Sequence, residues 1–371
     1  MKFDVIVIGG GLLGSTIGRK LVLEGASVTL IEKHAPGCNE VGVLDSLSVG
    51  NYVFESRDLL ERILRRVEEL EKRSFDLFRK RWTTIIMKPS EVDRLISVFE
   101  ELNVSFRVEE SGLSILDRVT DAYTLTVLNL LDALDRGLEL RSFCEVLKLL
   151  KEENQVFGVL VYDKRKGEYE EVKGDVIVIA TNSWTNVLLQ TLGLCVPIRL
   201  KKLFTLVFCE ETSKIIKLPE VDCSIIPYGP FTVVSKFIGE SKIPEESYVD
   251  LSSIKELVEV HKKFYGEPPP VLGYAVSQRC FYNSPKALSG GGVHDHDMAD
   301  EYYGLITAIS PRPLLTELVS DEAVRVILEK MGLEPSVGIK PLPTRQRLLK
   351  AYEKIPVVKA AFNPFLQNFF P

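Results

Sequence analysis

The chain has no block of basic residues, no paired cysteines and no long apolar run, and each absence removes a class of function. Lys and Arg total 46 against 52 Asp and Glu, a formal charge of −6 with both signs mixed along 371 residues. A weakly acidic chain of this kind gains little from a phosphate backbone, which excludes nucleic acid as a partner. The six cysteines (Cys38, Cys144, Cys195, Cys209, Cys223, Cys280) are scattered, none as CxxC. They fit neither a zinc site nor a redox dithiol and are expected to be small buried apolar residues. Only four histidines occur. His294-x-His296 has the spacing of a metal pair, yet no further ligand cluster is visible around it, so no metal is expected. No apolar stretch approaches the roughly 18–20 residues that span a bilayer. Met1-Lys2-Phe3-Asp4 leads straight into a strand rather than a leader. The expected location is cytoplasmic, at most peripheral at the inner face of the membrane.

What is present is ordinary globular material, 45% hydrophobic and 26% charged, of a length suited to two interlocked domains. Val5-Ile6-Val7-Ile8 predicts a parallel strand covered on both faces. Gly9-x-Gly11-x-x-Gly14 follows, then a helix to Glu24 stopped by Gly25, then a strand from Val28 to Ile31 ending at Glu32. This is a strand–turn–helix–strand unit with an acidic residue at its end, the context in which the glycine pattern signals a dinucleotide. Gly9 permits the tight turn, Gly11 the approach of backbone to pyrophosphate, and Gly14 close packing of helix on strand. The helix N-terminus offers free N–H groups to phosphate. Glu32 is expected to accept hydrogen bonds from the ribose hydroxyls.

Further along, a charged helix from Asp58 to Phe78 carries Leu59, Ile63, Val67 and Leu70 on one face. Ser90 with Asp93 predicts a capping box, and Val104, Phe106 and Val108 a half-buried strand. A helix beginning near Asp121 carries Leu125, Leu128, Leu131 and Leu134. Asp175–Ala180 and Gly304–Ile309 predict two more buried parallel strands, each ending in a turn. Dinucleotide-type strands thus stand near residues 5, 28, 176 and 305 with mixed material between them. The fold class is α/β, a discontinuous Rossmann-like domain with an inserted mixed α+β substrate domain. Residues 1–80, 140–200 and 295–371 are assigned to the first, 81–139 and 201–294 to the second. The long excursion after the second strand favours FAD over NAD, since strands in hydride-transferring NAD enzymes follow at short intervals.

At this point the residues resemble the D-amino-acid-oxidase-like FAD oxidoreductases, and within them the FAD-dependent glycerol-3-phosphate dehydrogenases of the respiratory, anaerobic kind. The amino-terminal Val-Ile-Gly-Gly-Gly with Glu32-Lys33 is shared across that superfamily. Val178–Trp184 resembles its alanine–glycine–tryptophan turn. Asp295-His296, Gly304–Thr307, the helix to Met331-Gly332-Leu333 and Pro341-Leu342-Pro343 resemble the glycerol-phosphate group in particular. The resemblance implies oxidation of sn-glycerol 3-phosphate, a phosphorylated polyol, to dihydroxyacetone phosphate, with electrons passed to a quinone or carrier protein. A 2-hydroxy acid such as 2-hydroxyglutarate, or an amine, is the alternative substrate, and a flavin-binding subunit without catalysis of its own is a third reading.

The resemblance implies cofactor contacts at Gly9, Gly11, Leu12, Leu13, Gly14, Glu32 and Lys33, at Ala180, Thr181 and Trp184, and at Pro311 and Arg312. Arg279 is the first candidate for substrate or flavin contact, against a buried structural ion pair. Arg312 is a second, against a solvent-facing loop cation. His294 or His296 is a candidate general base, against an exposed polar loop, and Lys202 an additional cation. The chain also departs from the group. Where relatives carry Gly-Gly-Lys-Leu-Thr-Thr, it has Ser310-Pro311-Arg312-Pro313-Leu314-Leu315-Thr316, a proline replacing the lysine. Ser289-Gly290-Gly291-Gly292 stands where a second arginine is usual, and Gly42–Ser46 lacks the usual histidine. The tail Phe362–Pro371 holds four phenylalanines in ten residues; it is expected either to pack on its own domain or to dock to a partner subunit or membrane surface.

Overall fold

Residues 2–37, 46–73 and 79–334 are described by the structure, a computed structural model. Cys38, Gly42–Asp45, the end of the charged helix, Pro341–Pro343 and the phenylalanine-rich tail lie outside the described residues.

The chain divides into two units. The first comprises residues 1–45, 122–199 and 280–371. Six strands of its eight-stranded sheet follow the order Gly292–Asp295, Leu305–Ile309, Glu168–Ile179, Lys2–Ile8, Val28–Glu32, Glu139–Ser142, and Cys144–Glu152 and Gln155–Asp163 pair off this path. All neighbours in this path are parallel except the first pair. The centre of the sheet is built from the runs the sequence marks as buried on both faces: Val5 to Ile8, Val176 to Ile179 and Leu305 to Ile309 are all buried. The Glu168–Ile179 strand belongs to two settings. Its charged first half pairs antiparallel with Gln155–Asp163 in a hairpin, and its apolar second half lies parallel to Lys2–Ile8. The change from Glu170-Glu171-Val172-Lys173 to Val176-Ile177-Val178-Ile179 is the change from one solvated face to none.

The second unit comprises residues 46–121 and 200–279. Its nine-stranded sheet includes Arg79–Ile86, Gly112–Asp121, Ile198–Phe208, Phe231–Ser241 and Val271–Tyr282. The helix Leu251–Tyr265 begins at Asp250, whose carboxylate accepts from Ser253 N at 2.7 Å, an N-cap that satisfies an end N–H. Leu257 joins Phe204, Phe208, Ile225 and Val234 in a buried cluster. The helix Arg57–Arg73 buries Leu59, Ile63, Val67 and Leu70, as their spacing requires.

The observed division differs from the expected boundaries. Ser46-Leu47 pair with Thr120-Asp121, which assigns the segment from Ser46 to the second unit. The helix Ala122–Asp135 is buried almost all round and belongs to the first. Three smaller expectations also change. The helix predicted from Ser90 and Asp93 runs Pro89–Glu101, with Lys88 as N-cap and the Glu91 carboxylate accepting from Lys88 N; proline fits the first helical position because its missing N–H has no partner there. Phe106–Glu109 is an edge strand, with Val108 exposed. Of the described cysteines, Cys144, Cys223 and Cys280 are buried, while Cys195 and Cys209 are exposed. Burial pushes the Cys223 thiol up to about 11 and that of Cys280 up to about 12. Among the described residues no helix is long and apolar enough to cross a membrane.

Candidate dinucleotide site

The Lys2–Ile8 strand passes through Gly9, at φ +108°, into the helix Leu12–Leu23. Three glycines there have no room for a side chain. A Cβ on Gly9 would lie 2.8 Å from the Ala180 carbonyl oxygen, and one on Gly10 would lie 2.8 Å from Glu32 Cβ. One on Gly14 would sit 1.9 Å from the Gly9 carbonyl oxygen. Helix and strand therefore pack backbone to backbone. Gly11 is the N-cap and makes no side-chain cap bond, and the first-turn N–H groups have no intrahelical partner. Together with the dipole they form an anion site.

Glu32 is held by two donors, Gly10 N to Oε2 at 2.6 Å and His34 N to Oε1 at 2.8 Å. Each oxygen retains a lone pair for a hydroxyl. The Gly10 carbonyl accepts from Gly37 N at 3.0 Å, closing the segment after Glu32 over the turn. Gly37, at φ +72°, packs against Tyr123 and Thr126.

The turn after the Glu168–Ile179 strand lies against the first one, joined by Ala180 N to Ile8 O at 2.9 Å. Trp184 follows in a short 3-10 turn, with the Lys33 ammonium 3.6 Å from its ring centroid, a cation–π contact. Asn182 has a left-handed backbone, φ +48°, and its Oδ1 accepts from Ser310 N at 3.0 Å. Ser310 Oγ donates to the Arg312 carbonyl at 3.0 Å, and Thr316 Oγ1 donates to Ser310 Oγ at 3.0 Å. The turns after the three central strands are thus linked at the carboxyl edge of the sheet, where open parallel sheets bind ligands. Asn182→Ala should cost about 2–3 kcal/mol, combining left-handed strain with a lost hydrogen bond, and Asn182→Gly about 1 kcal/mol less. Chemical denaturation of the two variants checks this order.

The structure brings together Gly9, Gly11, Leu12, Leu13, Gly14, Glu32, Lys33, Ala180, Thr181 and Trp184, and ties the Ser310–Arg312 turn to them. Pro311 and Pro313 are buried and Arg312 is half-buried. Arg279 is 8% exposed, on the strand Val271–Tyr282 and within the second unit. Lys202 is ion-paired to Glu246 at 2.7 Å. Hydrogen bonds from Lys202, Ser241 and the Lys242 amide hold the Glu246 carboxyl down at about 2. His296 does not suit the part of general base. It is fully buried, with Nδ1 on Glu301 and Nε2 on Thr307 Oγ1, and burial shifts its pKa below the usual histidine value. Gly10, Gly37 and Asn182 complete the site without belonging to the glycine fingerprint or to the expected cofactor contacts. For Asn182 a signal exists: asparagine directly after a buried strand suits a left-handed turn.

Residues 4–280 match the family described as DAO, FAD dependent oxidoreductase. The chain belongs to this family. Its cofactor is FAD, and the turn fits the ADP portion of that molecule: side-chain-free backbone, free N–H groups and a fixed carboxylate occur together. The chain is similar to the A1 subunit of the anaerobic glycerol-3-phosphate dehydrogenase of Haloferax volcanii, with 21% identity covering 92% of this chain and 66% of that protein. Similarity to the corresponding subunit of the Haemophilus influenzae enzyme is 23% over 90% of this chain and 65% of that protein. The chain therefore spans about two thirds of the length of these relatives. Among solved structures, glycerol-3-phosphate dehydrogenase from Bacillus halodurans complexed with FAD superposes with TM-score 0.69 and 14% identity, over 91% of this chain and 66% of that one. L-proline dehydrogenase from P. horikoshii superposes with TM-score 0.71 and 18% identity, over 95% and 98%. The fold of these two structures thus accounts for more than nine tenths of the chain.

Proposed function

We propose that this FAD-dependent oxidoreductase oxidises sn-glycerol 3-phosphate to dihydroxyacetone phosphate and passes the electrons to a quinone or a carrier protein. The observation that carries the substrate is the similarity, across nine tenths of the chain, to two anaerobic glycerol-3-phosphate dehydrogenase subunits. Their designation as subunits also supports a partner chain as the next electron acceptor.

Bound FAD supplies the two-electron acceptor for oxidation of a secondary alcohol. The chain's part is binding and orientation. The N–H groups at Leu12, Leu13 and Gly14 hold the pyrophosphate. Glu32 takes the ribose hydroxyls and disfavours a further phosphate on that ribose. Lys33 and Trp184 border the same turn, and the Pro311-Arg312 turn brings the Arg312 cation to the carboxyl edge in place of the lysine of relatives. Arg279 is the phosphate-binding candidate, because a guanidinium fork meets phosphate with two parallel hydrogen bonds.

The exchange of the lysine turn for Pro311-Arg312-Pro313 favours a second reading, a 2-hydroxy acid or an amine as substrate. Anaerobic reduction of the bound flavin by a substrate panel separates the two. Bleaching by sn-glycerol 3-phosphate, lost in Arg279→Ala at least tenfold in kcat/KM (about 1.4 kcal/mol), is the expected result. Bleaching only by a hydroxy acid or an amine would transfer the assignment to the second reading. No bleaching by any of them would make this chain a flavin-carrying subunit without its own catalysis.

A further inference from the structure

Away from the glycine turn, at the outer edge of the first sheet, two histidines and a carboxylate converge. His294 lies on the edge strand Gly292–Asp295, opposite Thr307 of the neighbouring strand. His296 begins the loop that follows. The loop doubles back, with Glu301 N and Tyr302 N both donating to the His296 carbonyl at 2.9 and 3.3 Å, and this returns the Glu301 side chain to both rings. His294 Nε2 is 3.5 Å from Glu301 Oε2, and His296 Nδ1 contacts the same oxygen. One ligand atom from each residue lies within 4.8 Å of the others. The sequence spacing shows only the two histidines; the third donor comes from the return of the loop.

The remaining ring nitrogens are already engaged. Tyr282 OH is 3.0 Å from His294 Nδ1, and Thr307 Oγ1 is 3.0 Å from His296 Nε2. Metal-bound histidines have this pattern, in which the second nitrogen is held by a polar group that fixes tautomer and ring orientation. Once the His296 proton leaves its bond to Glu301, Nδ1–H of His294 and Nε2–H of His296 donate to the hydroxyls, and His294 Nε2 and His296 Nδ1 present lone pairs to the ion,. His294 Nε2 is a buried atom with no hydrogen-bond partner, which is costly for a ring nitrogen unless something binds it. The outer anchor is rigid: Lys330 Nζ bridges Asp295 at 3.0 Å and Asp297 at 2.7 Å. An ion would enter from the side of His294 and Glu301, whose side chains are partly exposed.

We propose that His294, His296 and Glu301 bind one divalent transition-metal ion of the zinc class. Imidazole and carboxylate suit such ions, and two histidines with one glutamate is an established ligand set for three-coordinate protein sites completed by water. Ligand atoms about 2.1 Å from a tetrahedral zinc are separated by roughly 3.4 Å. The His294–Glu301 separation of 3.5 Å is close to that value, and the His296–Glu301 pair must open, its hydrogen bond replaced by the metal. The edge strand is three strands from Lys2–Ile8 in the sheet order, roughly 14 Å at the usual strand spacing. The ion is therefore a clasp of the sheet edge rather than part of the glycine turn, and its binding does not depend on which substrate the enzyme oxidises.

The test uses the FAD-loaded full chain, purified without a polyhistidine tag, stripped with a chelator and titrated with Zn2+ against a chromophoric competitor. The expected result is one Zn2+ per chain, with loss of that stoichiometric site in His294→Ala and Glu301→Gln. Tyr282→Phe keeps every ligand and removes one orienting hydroxyl, and is expected to weaken binding by about tenfold or more. Circular dichroism and bound flavin report whether each variant is folded, and Tyr282→Phe stands as the second test if a ligand variant is not. Absence of stoichiometric Zn2+ uptake by the unsubstituted chain would overturn the proposal. So would unchanged uptake in the folded variants, which would assign the zinc to surface groups such as Cys195 and Cys209.

Discussion

Gly14→Ala is expected to give protein that has lost at least tenfold in FAD affinity, a loss of about 1.4 kcal/mol or more in binding. The new Cβ would be placed 1.9 Å from the Gly9 carbonyl oxygen, and neither side can retreat. Gly9 is fixed by its N–H on the Ile31 carbonyl at 2.9 Å. The helix is held on its other face, where Asn129 Nδ2 donates to Thr16 Oγ1 at 3.0 Å and Arg19 meets Asp132 at 2.6 Å. The helix must therefore lift, taking with it the N–H groups proposed to hold the pyrophosphate. Overpacking of this kind costs about 1–3 kcal/mol in stability besides. Gly25→Ala is the control, since φ is +90° there but no atom lies within 4 Å of the added Cβ; it should strain the chain yet keep FAD. Flavin fluorescence titration measures both. Undiminished affinity in Gly14→Ala would show that the helix N-terminus is not the cofactor's anion site.

Asp132→Ala is expected to produce the largest loss of stability, about 3–5 kcal/mol, because it leaves the Arg19 guanidinium buried without its carboxylate. Both side chains are almost wholly inaccessible, at 2% and 0% exposure. Asp132 also accepts from Arg136 Nε at 2.7 Å, but that side chain is partly exposed and can turn to water. Changing Arg19→Met and Asp132→Leu together should recover most of the loss, since removing both charges avoids the uncompensated one. Denaturant unfolding followed by flavin release reads the effect on the unit that carries the turn. A midpoint unchanged from the unsubstituted protein would contradict it.

The parts of the fold legible in the sequence are those where one local requirement has one solution. Val5–Ile8, Val176–Ile179 and Leu305–Ile309 read as central parallel strands because both faces are covered. Gly9, Gly11 and Gly14 read as a dinucleotide turn because any side chain at Gly9 or Gly14 collides with backbone. The division into units is less legible. The helix Ala122–Asp135 is apolar on nearly every face and would suit either unit; its buried Asn129 and Asp132 gain meaning only beside Thr16 and Arg19, more than a hundred residues earlier. Ser46-Leu47 follow the second unit through a pairing with Thr120-Asp121 that no local pattern announces. At the Pro89 helix, the fixed φ of proline outweighs the Ser90–Asp93 pattern. His296 reads as a reactive histidine in a polar loop, and its burial depends on Thr307 from the adjoining strand and on a loop that returns Glu301. Asn182 and Ser310 are tied by one hydrogen bond across 128 positions, beyond the reach of spacing.

Gly9 to Glu32, with the turns at Ala180 and Ser310, is proposed to hold FAD. The most direct measurement is the flavin absorption of the full chain after gentle purification, followed by titration with added FAD. The expected result is flavin bands at about one FAD per chain, restored by FAD after the cofactor is removed, with affinity lowered at least tenfold in Gly14→Ala. A chain that carries no flavin and takes up none when FAD is supplied would contradict it.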